Sequence, residues 1–452
     1  MRRVTFSGGV HPEYNKNLAS QAAITDAALP DQVVLPCSQH LGAPARPVVA
    51  KGDLVKVGQV VAESGGFVSV PIHATVSGKV VEVAGRLHPT GVIQPAVVIA
   101  ADGKDEWVEL DPIDQPLEAD PDVLKERVRA AGVVGLGGAT FPSHVKLSPP
   151  KNKPIDRVLL NGAECEPYLT ADDRLMREEP ERVVKGFRIV MRILGVSQGR
   201  LCIEDNKPEA MAAMQKAAAG IDGVEVVALA TKYPQGGEKQ LIQAVLGRQV
   251  PSGGLPMDCG VVVFNVGTCA AIHDAVYLGR PLVDRVCTVT GRAVAQPSNM
   301  RVRLGTPVAS LLEQAGGTTK QAGKVILGGP MMGLTVPSLD VPVIKGTSGV
   351  LVQAADEVVE EPYRACIRCG MCVRVCPIGL TPNEMGSRAE MGHWEELDGL
   401  DVMDCIECGS CAYVCPAYRP LVQFFKLGKA QVRVLRQKRK EAEAEVLRAA
   451  KA

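Results

Sequence analysis

Two cysteine-rich stretches lie in the C-terminal part of this chain, CIRCGMCVRVCP at 366–377 and CIECGSCAYVCP at 405–416. Each has the spacing C-x2-C-x2-C-x3-C-P, so four thiols fall close together and a proline turns the chain away. Gly370 and Gly409, at equivalent positions, allow the backbone to come close to whatever the sulfurs bind. The repeated spacing therefore predicts a pair of equivalent thiolate sites.

This spacing resembles that of bacterial ferredoxins with two [4Fe–4S] clusters, in which the fourth cysteine of each run ligates the other cluster. A tetrahedral zinc site is the alternative, but zinc sites usually separate two C-x2-C pairs by a longer loop. We therefore predict a two-cluster ferredoxin-type domain with crossed ligands. Cluster 1 would be held by Cys366, Cys369, Cys372 and Cys415, and cluster 2 by Cys405, Cys408, Cys411 and Cys376.

The composition is that of a soluble multidomain protein. The chain has 452 residues, of which 46% are hydrophobic and 22% charged, and this length suggests about three domains. Lys+Arg and Asp+Glu number 50 each, so net charge gives no argument for nucleic-acid binding. No apolar run approaches the ~18–20 residues of a membrane span, and the N-terminus lacks the apolar segment of a secretory signal. We expect a cytoplasmic protein.

Six further cysteines are scattered through the chain. In a reducing compartment a scattered cysteine is more often a small buried apolar residue than a metal ligand. We expect this of Cys37, Cys165, Cys202, Cys259, Cys269 and Cys287.

Residues 30–100 form short β-like segments rich in Val, Gly and Pro. The segments RPVVAKGDLVKVGQVVAES and FVSVPIHATVSGKVVEV resemble the barrel-sandwich domain of biotinyl and lipoyl carriers. Those carriers hold their prosthetic group on a lysine at a hairpin tip, near which this chain has Phe67. The resemblance implies a structural or docking module and not a carrier.

From about residue 120, apolar strands alternate with helices, as in an α/β domain. A first helix should be capped by Asp120 and end at Gly132. The predicted strands are 157–161, 199–204 and 261–266, and the predicted helices are 179–194, 208–219 and 237–247. Residues 284–317 are predicted to form two strands, a turn and a helix, and they resemble the soluble-ligand-binding β-grasp (SLBB) module.

A glycine-rich segment, GVVGLGGATFPSHVK at 132–146, follows the first helix of the α/β region. Its glycines would let backbone N–H groups approach a phosphate, although a tight turn would use them equally well. The spacing also differs from the dinucleotide motif G-x-G-x-x-G. The segment alone therefore leaves both interpretations open.

Four segments in order resemble the flavin-bearing subunit of respiratory complex I. The glycine segment resembles GRGGAGFP, and NGAECEP (161–167), YPQGGEKQL (233–241) and NVGTCA (265–270) resemble NADESEP, YICGEETAL and NVETLA. The resemblance implies that FMN is bound and that NAD(H) is the substrate. The implied binding residues are Gly135, Gly137, Gly138, Ala139, Phe141, Lys146, Asn161, Glu164, Glu166, Tyr233, Gly236, Glu238, Asn265 and Thr268.

Within that resemblance, Lys146 would contact the phosphate, and Glu164, Glu166 and Glu238 would line the nicotinamide-nucleotide side as hydrogen-bond acceptors. A structural helix-cap pair is the alternative for Glu164 and Glu166. The chain departs from the family at three positions. Leu136 replaces an Arg, Thr140 replaces a Gly and Gly237 replaces a Glu.

The order of these parts, beginning with FSGGVHPEYNK (6–16), resembles the RnfC family of Rnf electron-transport membrane complexes over nearly the whole chain. The resemblance implies a peripheral electron-transfer subunit on the cytoplasmic side of the inner membrane. It would exchange a hydride between NAD(H) and FMN, pass single electrons through both clusters, and meet other subunits, including a ferredoxin-like iron–sulfur subunit. The FMN would carry the hydride chemistry, without a catalytic side chain. A soluble NADH-dependent reductase, such as a cobalamin reductase, is the alternative, and a relay without enzymatic activity is a third possibility.

The fold class predicted from these parts is a multidomain α/β and α+β protein. It comprises an N-terminal region with a barrel-sandwich hybrid domain (1–115), a complex I-like FMN-binding α/β domain (116–280), an SLBB β-grasp module (281–355) and a two-cluster ferredoxin domain (356–425). A charged linker is predicted at 357–365. The tail at 426–452 should be a basic helix, either solvated or in contact with an acidic partner or an anionic membrane surface.

Overall fold

The computed structural model describes residues 3–358 and 361–449. In these residues, sheets of six, four, four and three strands are followed by a helical C-terminal domain. The chain is therefore a mixed α/β and α+β protein, as predicted.

Two small antiparallel sheets form the barrel-sandwich domain, with strand orders β2-β8-β7-β4 and β3-β5-β6. The strands of this region are β1 (Ile24–Asp26), β2 (Gln32–Pro36), β3 (Arg46–Pro47), β4 (Leu54–Val55), β5 (Val60–Glu63), β6 (Ile72–His73), β7 (Gly78–Leu87) and β8 (Ile93–Ala101). Their inward side chains, including Val33, Val61 and Ile99, form a dry core. Phe67 is exposed, and its carbonyl accepts a 2.9 Å hydrogen bond from His144 Nε2. This turn therefore docks the module on the α/β domain.

The α/β domain follows the predicted alternation. Its elements are α1 (Pro121–Ala130), α2 (Ser143–Lys146), β9 (Arg157–Gly162), α3 (Ala171–Glu178), α4 (Pro180–Leu194), β10 (Gly199–Glu204), α5 (Pro208–Ala217), β11 (Val224–Leu229), α6 (Glu238–Leu246), β12 (Val261–Asn265) and α7 (Val266–Tyr277). Asp120 caps α1 by accepting from the Asp122 N–H at 2.7 Å. Gly132 follows the helix with a φ of +68°, a conformation that favours glycine.

The parallel sheet of this domain has the strand order β11-β10-β9-β12. The chain moves outward from β9 to β11 and then returns to the other side of β9 to form β12. The strand order therefore reverses between β9 and β12. In open parallel sheets, ligands bind at the carboxyl ends of the strands at such a switch point.

The SLBB module contains β13 (Asp284–Thr290), β14 (Ser298–Arg303), α8 (Val308–Gln314), β15 (Ala322–Leu327), β16 (Leu334–Thr335) and β17 (Gly349–Ala354). Its sheet has the order β1-β14-β13-β17-β15-β16. The sequence placed all of 1–115 in one region, whereas β1 pairs in parallel with β14 of this sheet. The difference arises because a three-residue strand carries too little pattern to reveal a distant partner.

The helices of the C-terminal domain are α9 (Met371–Val375), α10 (Pro382–Glu390), α11 (Trp394–Asp398), α12 (Ser410–Tyr413) and α13 (Leu421–Ala449). The predicted boundary at 425/426 falls inside α13, because Leu421, Phe425 and Val432 bury one continuous face of that helix. The predicted linker at 357–365 lies partly outside the described residues.

Residues 6–16, which we call the strap, lie outside the sheets of the barrel-sandwich domain. They connect two other domains. Val10 and Tyr233 exchange backbone hydrogen bonds of 2.8 and 2.9 Å, and the Gly9 N–H donates to the Val375 carbonyl at 2.8 Å. A side chain at Gly8 would place its Cβ 2.7 Å from the Cys376 carbonyl oxygen. The strap therefore fastens the α/β domain to the cysteine-rich domain and passes too close to it for a residue larger than glycine.

Candidate functional site

The eight clustered cysteines surround two separate small cavities. In both cavities three cysteines come from one run and the fourth comes from the other run. The first cavity is lined by Cys366, Cys369, Cys372 and Cys415, and the second by Cys405, Cys408, Cys411 and Cys376. The structure thus brings together the two groups that the crossed assignment predicts.

The two runs fold alike because their sequences repeat the same backbone requirements. Arg368 and Glu407 occupy equivalent positions in the two runs. Both have a left-handed backbone conformation, with φ values of 55° and 57°. Gly370 and Gly409 have φ values of 72° and 79° and precede α9 and α12. Each run therefore curls around its cavity before its fourth cysteine crosses to the other.

The two cavities differ in their exposure to solvent. Cys408 and Cys411 are buried, whereas Cys369 is exposed. At the second cavity, the Leu380 N–H donates to Cys376 Sγ at 3.3 Å, and the Ser410 hydroxyl lies 3.4 Å from Cys408 Sγ. Hydrogen bonds to sulfur and low solvent exposure are the means by which a protein tunes a cluster potential.

The glycine loop, residues 135–142, lies at the switch point of the parallel sheet. The Leu136 N–H donates to Thr268 Oγ1 at 2.8 Å, and the Gly135 N–H donates to the Phe141 carbonyl at 2.9 Å. The three residues at the tip of the loop are solvent-exposed, and their N–H groups have no acceptor in the described parts of the chain. These residues are Gly137, Gly138 and Ala139.

Two asparagines stand side by side at the carboxyl ends of β9 and β12, because Asn161 and Asn265 are register partners. Asn265 caps α7 by accepting from the Thr268 N–H at 3.3 Å. The Asn161 amide donates to the Gly236 carbonyl at 2.8 Å. A Cβ added at Gly137 would lie 3.3 Å from the Asn265 Cβ, so the loop and this edge of the sheet are in contact.

Charged groups complete this edge. Lys146 Nζ forms an ion pair with Glu238, the first residue of α6, and donates to the Val263 carbonyl at 3.0 Å. Free N–H groups, a cation and two amides at a switch point fit a phosphorylated flavin. The structure therefore brings most of the predicted flavin residues to one place.

The two remaining glutamates have structural contacts instead. Glu164 accepts from the N–H groups of Asp172 and Asp173 at 2.7 and 3.1 Å, so it caps α3. Glu166 Oε2 accepts from the Met331 N–H of the SLBB module at 3.1 Å. Glu164 therefore has the cap role that the sequence left as an alternative, and Glu166 joins two domains.

Tyr233 links the flavin-type fold to the second cysteine cavity. Its side chain is fully buried, and its hydroxyl donates to the Cys408 carbonyl at 2.7 Å. Cys165 packs in the same small apolar cluster, and its Sγ accepts from the Gly236 N–H at 3.2 Å. A short, dry path of contacts therefore runs from Gly236 to the loop that carries Cys408.

Two lysines that fasten this site, Lys16 (partly buried) and Lys207 (buried), were not predicted from the sequence. Lys16 of the strap donates to the carbonyls of Glu164, Glu166 and Leu169 at 2.8, 2.9 and 2.5 Å. Lys207 donates to the Ala163 carbonyl at 2.6 Å and pairs with buried Glu204 at 3.0 Å. Lys16 ends the opening segment 6–16 and Lys207 belongs to no recognised motif, but both lie far from the loop in sequence, so no local signal indicated these contacts.

The other cysteines behave as predicted. Cys37, Cys165, Cys202, Cys269 and Cys287 are buried, and Cys259 is partly buried.

Four family models match the chain in the predicted order. They are the RnfC barrel-sandwich hybrid domain at 4–104, the Nuo51 FMN-binding domain at 128–274, the SLBB domain at 286–335 and a 4Fe-4S dicluster domain at 365–418. These matches confirm the predicted domain types and support FMN and iron–sulfur clusters as cofactors.

Curated relatives match the chain over nearly its whole length. It is 48% identical to the C subunit of the Na⁺-translocating ferredoxin:NAD⁺ oxidoreductase complex of Acetobacterium woodii, over 96% of this chain and 98% of that protein. It is also 48% identical to the proton-translocating counterpart of Clostridium ljungdahlii, over 96% of each chain. Among solved structures, an NAD⁺-reducing [NiFe]-hydrogenase shares the fold, with a TM-score of 0.50, 20% identity, and coverage of 71% of this chain and 65% of that one.

Glu166 should make stability depend on pH. Burial raises the pKa of Glu166 to about 7, although hydrogen bonds from Met331 and Met332 oppose the shift. Because its pKa in the unfolded chain is about 4.3, the stability that protonated Glu166 contributes is lost as the pH rises through 7. Relative to Glu166→Gln, the unfolding free energy of the natural chain should fall by about 1 kcal/mol between pH 6 and pH 8.

Denaturant unfolding of both proteins at the two pH values measures this difference. Glu313→Gln, at an exposed carboxylate, serves as the control for removing one negative charge. A difference between the natural chain and Glu166→Gln that stays constant over this range would show that the carboxyl does not titrate there.

Proposed function

The chain belongs to the RnfC family of ion-translocating ferredoxin:NAD⁺ oxidoreductase complexes, and we propose that it is the peripheral electron-transfer subunit of such a complex. In this role it takes part in exchanging a hydride between NAD(H) and FMN and passes single electrons onward through two [4Fe–4S] clusters. The observation that carries the proposal is the contact between the flavin-type fold and the second cysteine cavity, from the Tyr233 hydroxyl to the Cys408 carbonyl.

The switch-point edge of the parallel sheet would hold FMN. Its phosphate would meet the free N–H groups of the glycine loop and Lys146, and Asn161 and Asn265 would orient the rest of the flavin. When bound, FMN supplies two-electron exchange with NAD(H) and one-electron exchange with iron–sulfur clusters. Glu238, whose side chain is 41% exposed and pairs with Lys146, would present a carboxylate to a nicotinamide nucleotide at the same edge.

The two cysteine groups would each hold one [4Fe–4S] cluster, with Cys376 and Cys415 crossing between the runs. The second cavity adjoins Tyr233 and lies beside the flavin domain, whereas the first opens to solvent at Cys369. Electrons would therefore pass by way of the second cavity and leave through the first.

The chain's own residues make this route short and dry. Val10, Cys165, Tyr233 and Cys408 form one buried apolar cluster, so no solvent layer separates the two domains there. Met331 of the SLBB module packs against the same cluster and donates its N–H to Glu166. The strap and the SLBB module thus help to hold the second cavity against the flavin fold.

The exposed rim of the first cavity is the surface that would contact a partner protein. Ile367, Arg368 and Cys369 are exposed there, and Ile367 keeps 68% of its surface in contact with solvent. An apolar side chain beside a cation fits an acidic ferredoxin-like iron–sulfur subunit. None of the described helices has the length and apolar character needed to cross a membrane, and we place the chain peripherally, on the cytoplasmic face of the inner membrane.

Co-purification from native membranes tests the assignment to a complex. We expect the affinity-tagged full chain, extracted in mild detergent, to retain membrane-spanning subunits and NADH-dependent electron transfer to ferredoxin. A chain that is wholly free in the soluble fraction, with no partner and with NADH-dependent reductase activity of its own, would favour the soluble-reductase alternative.

The crossed ligand assignment predicts which cluster each cysteine supports. Cys376→Ser should reduce iron from about eight to about four per chain and spare the cluster held by Cys366, Cys369 and Cys372. Electron paramagnetic resonance of the reduced protein, with iron and sulfide analysis, distinguishes the two clusters. The control Cys259→Ser, at a partly buried cysteine of the α/β domain, should leave the iron content unchanged.

A spectrum that loses the signal of the first cavity after Cys376→Ser would contradict the crossed assignment. It would mean that each run ligates its own cluster.

A further inference from the structure

Arg285 of β13 is a buried guanidinium that fastens the glycine loop from another domain. Only 7% of the residue is exposed. It donates to the Leu136 carbonyl at 3.2 Å, to the Lys345 carbonyl and, more weakly, to its neighbour Val286 at 3.4 Å. The flavin-bearing subunit of complex I has an arginine at the position of Leu136. In this chain a guanidinium reaches the loop from the SLBB module instead.

The contact with Leu136 fixes the direction of a loop N–H group. In a trans peptide the C=O and the following N–H point in opposite directions. Because the Leu136 carbonyl is directed toward Arg285, the Gly137 N–H is directed away from it. That N–H has no acceptor among the residues that the structure describes, so it is available to a ligand.

Lys345 contributes a second buried basic group, behind the same loop. Its side chain is 1% exposed, and its Nζ donates to the carbonyls of Pro71 and Gly132 at 3.1 and 2.7 Å. The next residue, Gly346, lies directly behind the loop, since a Cβ there would be 2.8 Å from Thr140 Cγ2. Residues 345–346 therefore form the rear wall of the glycine loop.

Neither cation is neutralised by an ion pair. Across residues 3–358 and 361–449, the side chains of Arg285 and Lys345 donate to backbone carbonyls, Arg285 also contacts the Cys287 thiol, and neither side chain forms an ion pair. The carboxylate whose charge reaches Arg285 is Asp172, and that group is already bound by the Asn265 amide at 2.5 Å and by the Gly267 N–H. Burial lowers the pKa of Lys345 to about 7, which reflects the cost of an unpaired buried charge.

Unpaired buried cations are costly unless a ligand supplies the opposite charge. We propose that Arg285 and Lys345 are positioning residues for the phosphate of FMN. Arg285 aims the Gly137 N–H, and the two charges together make the loop select a phosphorylated flavin over riboflavin. This inference rests on the proposed function, because it presupposes that the chain binds a flavin at the loop.

Comparing FMN with riboflavin isolates the role of the charges, because the two ligands differ only in the phosphate. We would measure both affinities by anaerobic calorimetry on the flavin-free full chain with its clusters in place. The natural chain should bind FMN at least about 100-fold more tightly than riboflavin. Lys345→Met should reduce that ratio about tenfold or more, while the affinity for riboflavin changes by less than about twofold.

Two further variants make the test decisive. Lys324→Met removes the same charge from an exposed position of β15 and should leave the ratio unchanged. Arg285→Gln removes the second charge but retains a donor for the Leu136 carbonyl, and it should reduce the ratio as Lys345→Met does. If Lys345→Met does not fold, as judged by circular dichroism and iron content, Arg285→Gln and the ratio of the natural chain decide the question.

The outcomes separate this inference from the function on which it rests. A natural chain that binds FMN and riboflavin equally, or Lys345→Met and Arg285→Gln proteins that keep the natural ratio, would overturn the role of the two cations and leave flavin binding intact. Equal weakening of both flavins in these variants would also overturn it, because that is the effect of a purely structural defect. A natural chain that binds neither flavin would overturn the proposed function itself.

Discussion

The hydrogen bond from the Tyr233 hydroxyl to the Cys408 carbonyl joins the part of the chain suited to a flavin with the part suited to iron–sulfur clusters. Electron transfer requires the donor and acceptor to be close, so the function depends on how firmly this junction is held. Three features hold it. The strap pairs with Tyr233 on one side and with Val375 on the other. Met331 of the SLBB module packs against the buried cluster that contains Tyr233 and Cys408, and Lys16 of the strap binds the carbonyls of Glu164 and Glu166.

A second physical feature is that lysine and arginine side chains inside the protein bind backbone carbonyls. Lys16, Lys345 and Arg285 each bind two or more carbonyl oxygens contributed by different residues. Such contacts leave much of the positive charge uncompensated, in contrast to the buried pair of Lys207 and Glu204. The basic groups of Arg285 and Lys345 therefore lie near the glycine loop without an ion pair, which suits a phosphorylated ligand.

Much of the site could be predicted because its information is local. The crossed cysteine groups follow from spacing within two short runs, and the strands β9, β10 and β12 follow from compact apolar stretches. The glycine loop and Asn265 could be placed because four segments, in the same order, resemble the flavin-bearing subunit of complex I. Tyr233 was also predicted as a binding residue, but its hydroxyl contacts the cysteine loop, because domain docking decides where a buried side chain points. The strap contacts, the pairing of β1 with β14 and the roles of Arg285 and Lys345 join residues far apart in sequence, so no spacing or periodicity could reveal them.

In this account, one chain carries electrons from a flavin, bound at the edge of the parallel sheet, into two iron–sulfur clusters. Anaerobic purification of the full chain, with flavin, iron and labile-sulfide analysis and an optical spectrum before and after NADH, tests it most directly. The account predicts about one FMN and about eight irons per chain, with NADH bleaching both chromophores. Eight irons with no flavin and no bleaching would contradict it, and the chain would then be an iron–sulfur relay whose flavin-type fold binds no cofactor.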